Sequence, residues 1–231
     1  MLSLLVILLT YYLNVVNSLT TAQRYGRYAH ASALVGSKLY FMCGLAFGNL
    51  SRDFFYLDLS EPFKDVLPSF FDIPSNLPVI DAWLTASTGG SDNSTIIIFG
   101  GLLYYAINGT ADNSELVFTF SAPNGPWKAP FINGTPPITT PQAGIKSVID
   151  KHGKMYLFGG DSGQGKITNS NLYILDTINL VWSNGGNANT SFRRTHATGV
   201  LLNSGEILYI GGYADNFTLV DINVVSKIPI N

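Results

Sequence analysis

Few residues in this chain have both the type and the spacing for chemistry. Gly160-Asp-Ser-Gly-Gln-Gly165-Lys166-Ile167 comes within one residue of G-x-x-x-x-G-K-[ST], the loop whose amides and lysine cradle a triphosphate. Such a loop needs a strand before it and a helix after it, because the helix N-terminus holds the phosphate. Here the following run, Asn171-Leu-Tyr-Ile-Leu-Asp176, is β-rich, and Ile167 replaces the hydroxyl that would bind Mg²⁺. Nucleotide binding is not expected. The histidines are His30, His152 and His196, with no H-x-x-x-H pair or Cys/His cluster, so no metal centre is expected either. Cys43 is the single cysteine, which excludes an intrachain disulfide. In the run Leu39-Tyr-Phe-Met-Cys43-Gly it reads as a buried small hydrophobe, with a reactive or intermolecular thiol as the alternative. No Ser-His-Asp set or carboxylate pair can be placed by spacing, so no catalytic residue is assigned. Asp58 and Asp176 each precede a turn, where a carboxylate caps backbone amides.

The elements that must position these residues form a repeat. Lys154–Phe158 is an apolar run closed by Gly159 and Gly160; a polar loop, a second run (Leu172–Leu175), a turn and a third run ending on Trp182 follow. Strand, Gly-Gly, loop, strand, tight turn and strand make most of one antiparallel sheet. The first unit starts at Arg27-Tyr-Ala-His30 and continues through Leu39–Cys43, Gly44 and Phe54–Leu59. In the second, Thr95–Phe99 leads to Gly100-Gly101, Leu116–Phe120 and Trp127. The fourth opens at Arg193-Arg-Thr-His196, with Ile207–Ile210, Gly211-Gly212 and an expected third strand over Phe217–Ile222. The second glycines, Gly44, Gly101, Gly160 and Gly212, are 57, 59 and 52 residues apart. A period near 50 with a glycine doublet after each apolar strand is a propeller signature. Wedge-shaped blades crowd a centre where glycine permits close approach and positive φ.

These residues resemble the kelch-repeat family of β-propellers, including galactose-oxidase-like propellers. The resemblance rests on Arg27-x-x-His30 and Arg193-x-x-His196, the glycine doublets, Tyr56 and Tyr173 in third strands, and Trp127 and Trp182 in fourth strands. It covers the chain from about Arg24 onward and is most like secreted fungal kelch proteins. It implies an all-β, incomplete kelch-type β-propeller of three whole blades and most of a fourth, over about residues 24–77, 78–134, 135–191 and 192–231. The departures are Cys43 in a glycine position, Lys64 near an expected Trp, and Trp83-Leu-Thr and Gln142-Ala-Gly where Arg-x-x-His would lead. Repeat equivalence gives His30 and His196 one structural job on opposite sides of the arc. The resemblance also implies a copper-dependent carbohydrate oxidase as a second reading, needing two Tyr, two His and a Cys–Tyr crosslink; Cys43 in a strand argues against it.

Charged residues make up only 12% of the chain and the net charge is −2, so nucleic acid is not an expected partner. Met1 to Ser18 carries no charged side chain and reads as a signal peptide cleaved near Ser18, with an uncleaved membrane anchor or a buried strand as the alternatives. Six N-x-[ST] sequons, at Asn49, Asn93, Asn108, Asn133, Asn189 and Asn216, fit an exported glycoprotein. The expectation is a secreted or surface-displayed, noncatalytic platform without cofactor, binding an extracellular protein or glycan through the loops after each doublet. An open arc exposes two blade faces, which predicts self-association, further blades, or a nonfunctional truncated copy.

Overall fold

The computed structural model describes residues 25–60, 62, 68–74, 77–102, 105–106, 116–135, 142–161, 171–187 and 193–230. The expected leader, Lys64, the sequons at Asn108 and Asn189, and Ser162–Ser170 with Lys166 and Ile167 lie outside them.

Four antiparallel meander sheets follow one another along the chain. The first holds β1 (Ala31–Val35), β2 (Lys38–Met42), β3 (Phe54–Asp58) and β4 (Phe70–Asp72). The second holds β5 (Leu84–Gly89), β6 (Thr95–Gly100), β7 (Val117–Ser121) and β8 (Trp127–Lys128). The third holds β9 (Lys146–Ile149), β10 (Lys154–Phe158), β11 (Asn171–Asp176) and β12 (Val181–Asn187). The fourth has β13 (Thr198–Leu201), β14 (Glu206–Ile210) and β15 (Val225–Pro229). The first strands of successive sheets lie side by side, so each sheet is a propeller blade with its first strand innermost. Between blades 2 and 3 these inner strands are laced by Thr85 Oγ1 and Ser87 Oγ, at 2.7 and 2.8 Å from Ser147 Oγ.

Burial follows the neighbours blade by blade. In blades 2 and 3 the second strands are continuous apolar runs, Ile96–Phe99 and Met155–Phe158, buried on both faces. In blades 1 and 4, β1 and β14 alternate buried and partly exposed residues, because one face alone has a neighbour. Three apolar clusters fill the three interfaces. Tyr40, Met42 and Phe54 meet Ile96, Ile98 and Phe120; Ile97 and Phe99 meet Met155 and Leu157; Tyr156 and Phe158 meet Ile207 and Tyr209. Each such side chain contributes roughly 1.5–3 kcal/mol on burial, and this holds blade to blade. The open faces keep Leu34 52% and Val200 45% exposed.

Trp127 and Trp182 stand in fourth strands, opposite Phe120 and Leu175. Phe70, opposite Leu57, fills that position in blade 1. One strand differs from expectation. The third strand of blade 4 is β15, not Phe217–Ile222. Tyr213–Ala214 instead pairs with Thr218–Leu219 around a 3₁₀ turn, and the Asp221–Val224 turn then delivers Val225 to Ile210.

Candidate functional site

The site is built where the chain enters each inner strand. Ala31, Thr85, Lys146 and Thr198 occupy one register position, facing Met42, Phe99, Phe158 and Ile210. Counting back from them aligns Ala29, Trp83, Gly144 and His196, and all four adopt left-handed backbone, with φ of 57, 69, 64 and 58°. Their peptides join the blades head to tail. Trp83 N–H donates to Ala29 C=O (2.9 Å), Gly144 N–H to Trp83 C=O (2.9 Å), and His196 N–H to Gly144 C=O (2.8 Å). Left-handed conformation costs an L-residue about 1–2 kcal/mol, so Trp83 and His196 are held against their preference by the belt.

This register changes the expected equivalence of the two histidines. His196 matches Ala29, while His30 matches Ala197. The arginine equivalent to Arg27 is Arg194, not Arg193. Arg27 donates to Cys43 C=O, pairs with Asp53 and lies 4.7 Å over the Phe55 ring. Arg194, 1% exposed, donates to the carbonyls of Tyr209, Gly211 and Val224 and to Ser226 Oγ. Arg193 lies at the surface, 3.1 Å from Asp215. The same position holds Asp81 in blade 2 and Gln142 in blade 3, both buried. Asp81 Oδ1 accepts from the amides of Ala82 and Leu102, and the Gln142 carbonyl accepts from Gly101 N–H.

The two histidines also share a cavity, contrary to their expected separation. A cavity of about 310 Å³ at the axial end is lined by all four blades, with His30, Trp83, Lys146 and His196 among its walls. The His196 ring meets Trp83 edge to face at 4.5 Å and Tyr213 at 5.9 Å; Trp83 meets Tyr28 at 6.1 Å, and Tyr213 meets Phe217 at 6.2 Å. This makes an aromatic rim across blades 1, 2 and 4, with Tyr28 and Phe217 more than half exposed. Burial lowers the pKa of both histidines, helped at His30 by the Arg27 charge and opposed at His196 by Asp161. Burial thus favours the neutral form of both rings.

The remaining predicted residues serve packing and turns. Cys43 is fully buried at φ 59°, with Sγ 3.8 Å from Val79 C=O, and burial pushes its thiol up to about 12. Gly44 lies against Tyr28 and His30, where a Cβ would come to 2.7 Å of the Tyr28 carbonyl oxygen. Gly100, Gly101, Gly159, Gly160, Gly211 and Gly212 all have positive φ. After Gly160 and Asp161, the next described element is β11, a strand. Asp58 Oδ1 caps Ser60 N–H, and the Ser60 bonds lower its pKa; Asp176 Oδ1 caps Ile178 and Asn179. Asn49, Asn93, Asn133 and Asn216 are exposed. Among the described residues no three His, Cys, Asp or Glu side chains are grouped to hold a metal ion. Sequence reasoning missed Tyr28, Trp83, Lys146, Tyr213 and Phe217 as a group. The available signal was Trp83, a tryptophan outside any fourth strand.

Comparisons with known proteins agree with this architecture. The family model described as the KLHDC2/KLHL20/DRC7 Kelch-repeats domain matches residues 29–227. The chain is also similar to the Rab9 effector protein with kelch motifs of Xenopus laevis, at 31% identity over 85 residues. That alignment covers 36% of this chain and 23% of the relative, so it spans under a quarter of the relative's length. Four consecutive blades, three of them with a glycine doublet, and a family match over nearly all of them place this chain in the kelch-repeat family of β-propellers.

Proposed function

We propose that the chain is an exported, noncatalytic binding platform that seats a segment of another protein on its axial face. One observation carries this reading: an aromatic series from Tyr28 through Trp83, His196 and Tyr213 to Phe217 passes a cavity that Trp83 and His196 line together with residues of all four blades. Large aromatic side chains over a concave polar site are the anchors on which protein interfaces concentrate their energy. The backbone strain at Trp83 and His196 supports the same reading, because such strain gathers at sites that bind. Export is supported by the uncharged apolar leader and the exposed sequons.

The test uses the full chain from a eukaryotic secretory host. A displayed library of linear peptides and a glycan array are screened with the same protein. Peptides are expected to be selected, and Trp83→Gly, which suits the left-handed backbone, should weaken them at least about tenfold. Asn203→Ala, in the β13–β14 turn at the other end of the blades, should leave them unchanged. Binding to glycans alone, or peptide binding indifferent to Trp83→Gly, would count against the platform. Intact mass should show loss of the leader and glycan removable by peptide-N-glycosidase; a product retaining Met1 without glycan would remove export from the reading.

A further inference from the structure

The three blade interfaces are closed by the same two kinds of backbone hydrogen bond. The glycine that ends each second-strand turn donates to the next blade: Gly44 N–H to Asp81 C=O (2.8 Å), Gly101 N–H to Gln142 C=O (3.0 Å) and Gly160 N–H to Arg194 C=O (3.2 Å). The axial belt supplies the return bond, from the N–H groups of Trp83, Gly144 and His196 to the carbonyl one blade back. Blade 4 carries the same outgoing groups, Gly212 N–H and His196 C=O. Blade 1 carries the receiving ones, Arg27 C=O and Ala29 N–H. None of these four groups has an interblade partner among the described residues. Gly211 repeats the match in shape. Beside Gly100 and Gly159 stands the carbonyl oxygen of Gln142 or Arg194 in the next blade, and beside Gly211 that space is open. In blade 1 the carbonyl of this position belongs to Arg27.

The side chains of the two outer faces fit as well. Cross-strand partners share a face. On blade 4, Thr198, Ile210 and Val225 therefore stand together, beside Val200 and Leu208. On blade 1, Ser32 goes with Phe41 and Leu34 with Leu39. Val225, Val200 and Leu34 are 41, 45 and 52% exposed on these faces. Register aligns Thr198 with Thr85 and Ser32 with Ser147. Thr85 Oγ1 lies 2.7 Å from Ser147 Oγ across the joint of blades 2 and 3. Blades 1 and 2 hold Ala31 and Ala86 at these two positions, and blades 3 and 4 hold Lys146 and Gly199. A blade 4 followed by a blade 1 would thus restore the Thr–Ser contact that joins blades 2 and 3. An unrelated partner has no reason to carry this register of hydroxyl, carbonyl and amide. A second copy of this chain carries all of it.

We propose that two copies of this chain associate head to tail, blade 4 of each on blade 1 of the other, and close a single ring. This goes beyond the platform reading and does not depend on it. Two sets of four blades make eight, within the range of roughly four to eight over which propellers close. A two-fold axis along the channel forms both joints at once and leaves no outer face open, the closed symmetry that most homo-oligomers adopt. The test uses the full chain. Sedimentation over a dilution series should show a two-chain species that falls to the single chain on dilution. The double variant Ser32→Cys with Thr198→Cys, oxidised, should crosslink into dimers. Each single variant alone should not, because Ser32 meets Thr198 and never its own copy; mixing the two singles should restore the crosslink. Cys43 is fully buried and does not compete. Gly211→Ala should weaken the dimer at least about tenfold, since its Cβ would meet the Arg27 carbonyl of the second copy. In the dilute single chain that Cβ has open space. Gly205→Ala is the control, with φ at 81° and no atom closer than 3.8 Å to the added Cβ, so it should dimerise as the parent does. A single chain at every concentration overturns the proposal. So do crosslinks within either single variant, a ladder of longer oligomers in place of dimers, or a Gly211→Ala dimer as tight as that of Gly205→Ala. None of these outcomes bears on whether peptides bind through Trp83.

Discussion

Gly159 and Gly211 hold the same place in blades 3 and 4, each closing a second strand with positive φ, 79 and 68°. Their surroundings differ completely. A Cβ on Gly159 would stand 2.2 Å from the Arg194 carbonyl oxygen, whereas one on Gly211 would meet nothing within 4 Å. Gly100 in blade 2 resembles Gly159, since its Cβ would come to 2.7 Å of the Gln142 carbonyl oxygen. The blocking atom in both cases belongs to the next blade. In blades 2 and 3 the glycine is therefore demanded across the blade interface, not by the turn within the blade. Where the described residues offer no next blade, the space is open. Blade 1 is the exception: Cys43 takes this position at φ 59° with blade 2 beside it, so there both the backbone and the interface accommodate a Cβ.

Three substitutions sharpen or break that comparison, each read as a shift in the urea unfolding midpoint. Gly159→Ala should cost most, about 3 kcal/mol or more, because it adds a clash with backbone to left-handed strain. Arg194→Leu should cost about 2–3 kcal/mol, since it strips a shared charged donor from three carbonyls and Ser226 while leaving the backbone at Gly159 in place. Gly211→Ala should cost about 1–2 kcal/mol, the conformational penalty alone. Equal losses at Gly159 and Gly211 would mean that the turn itself requires glycine, and the interface account would fail.

Much of this architecture is legible in the sequence because it is local. The doublets, the second strands and the fourth-strand tryptophans all carry their signal within a few residues. What separates inner blades from end blades was not legible, since Leu39–Cys43 and Ile207–Ile210 are as continuously apolar as Ile96–Phe99 and Met155–Phe158 and differ from them only in burial. The entry to blade 4 was not legible. Arg193 and Arg194 are adjacent, and matching Arg-x-x-His selects the first, whereas the left-handed turn at His196 brings the second inward. The third strand of blade 4 was equally hidden, because Phe217–Ile222 and Val225–Pro229 are both plausible β runs and only long-range pairing with Ile210 chooses. The axial cavity had no sequence signal of its own. Its walls come from four blades, and residues that never share a window meet only when the ring curves.

The belt of axial peptides has an electrical side. Its three hydrogen bonds all run in one sense around the centre, with each N–H entering the carbonyl of the preceding blade. Peptide dipoles aligned in this way reinforce one another, as they do along a helix. Among the described residues the row therefore runs from an N–H side at Ala29 to a C=O side at His196. Both ends border the cavity, because Ala29 and His196 line it together. A neutral group lying between blades 1 and 4 sits in an oriented field, with its negative end drawn toward blade 1 and its positive end toward blade 4. Blade order thus gives the centre of this propeller a direction, and a polar guest has one preferred way to face.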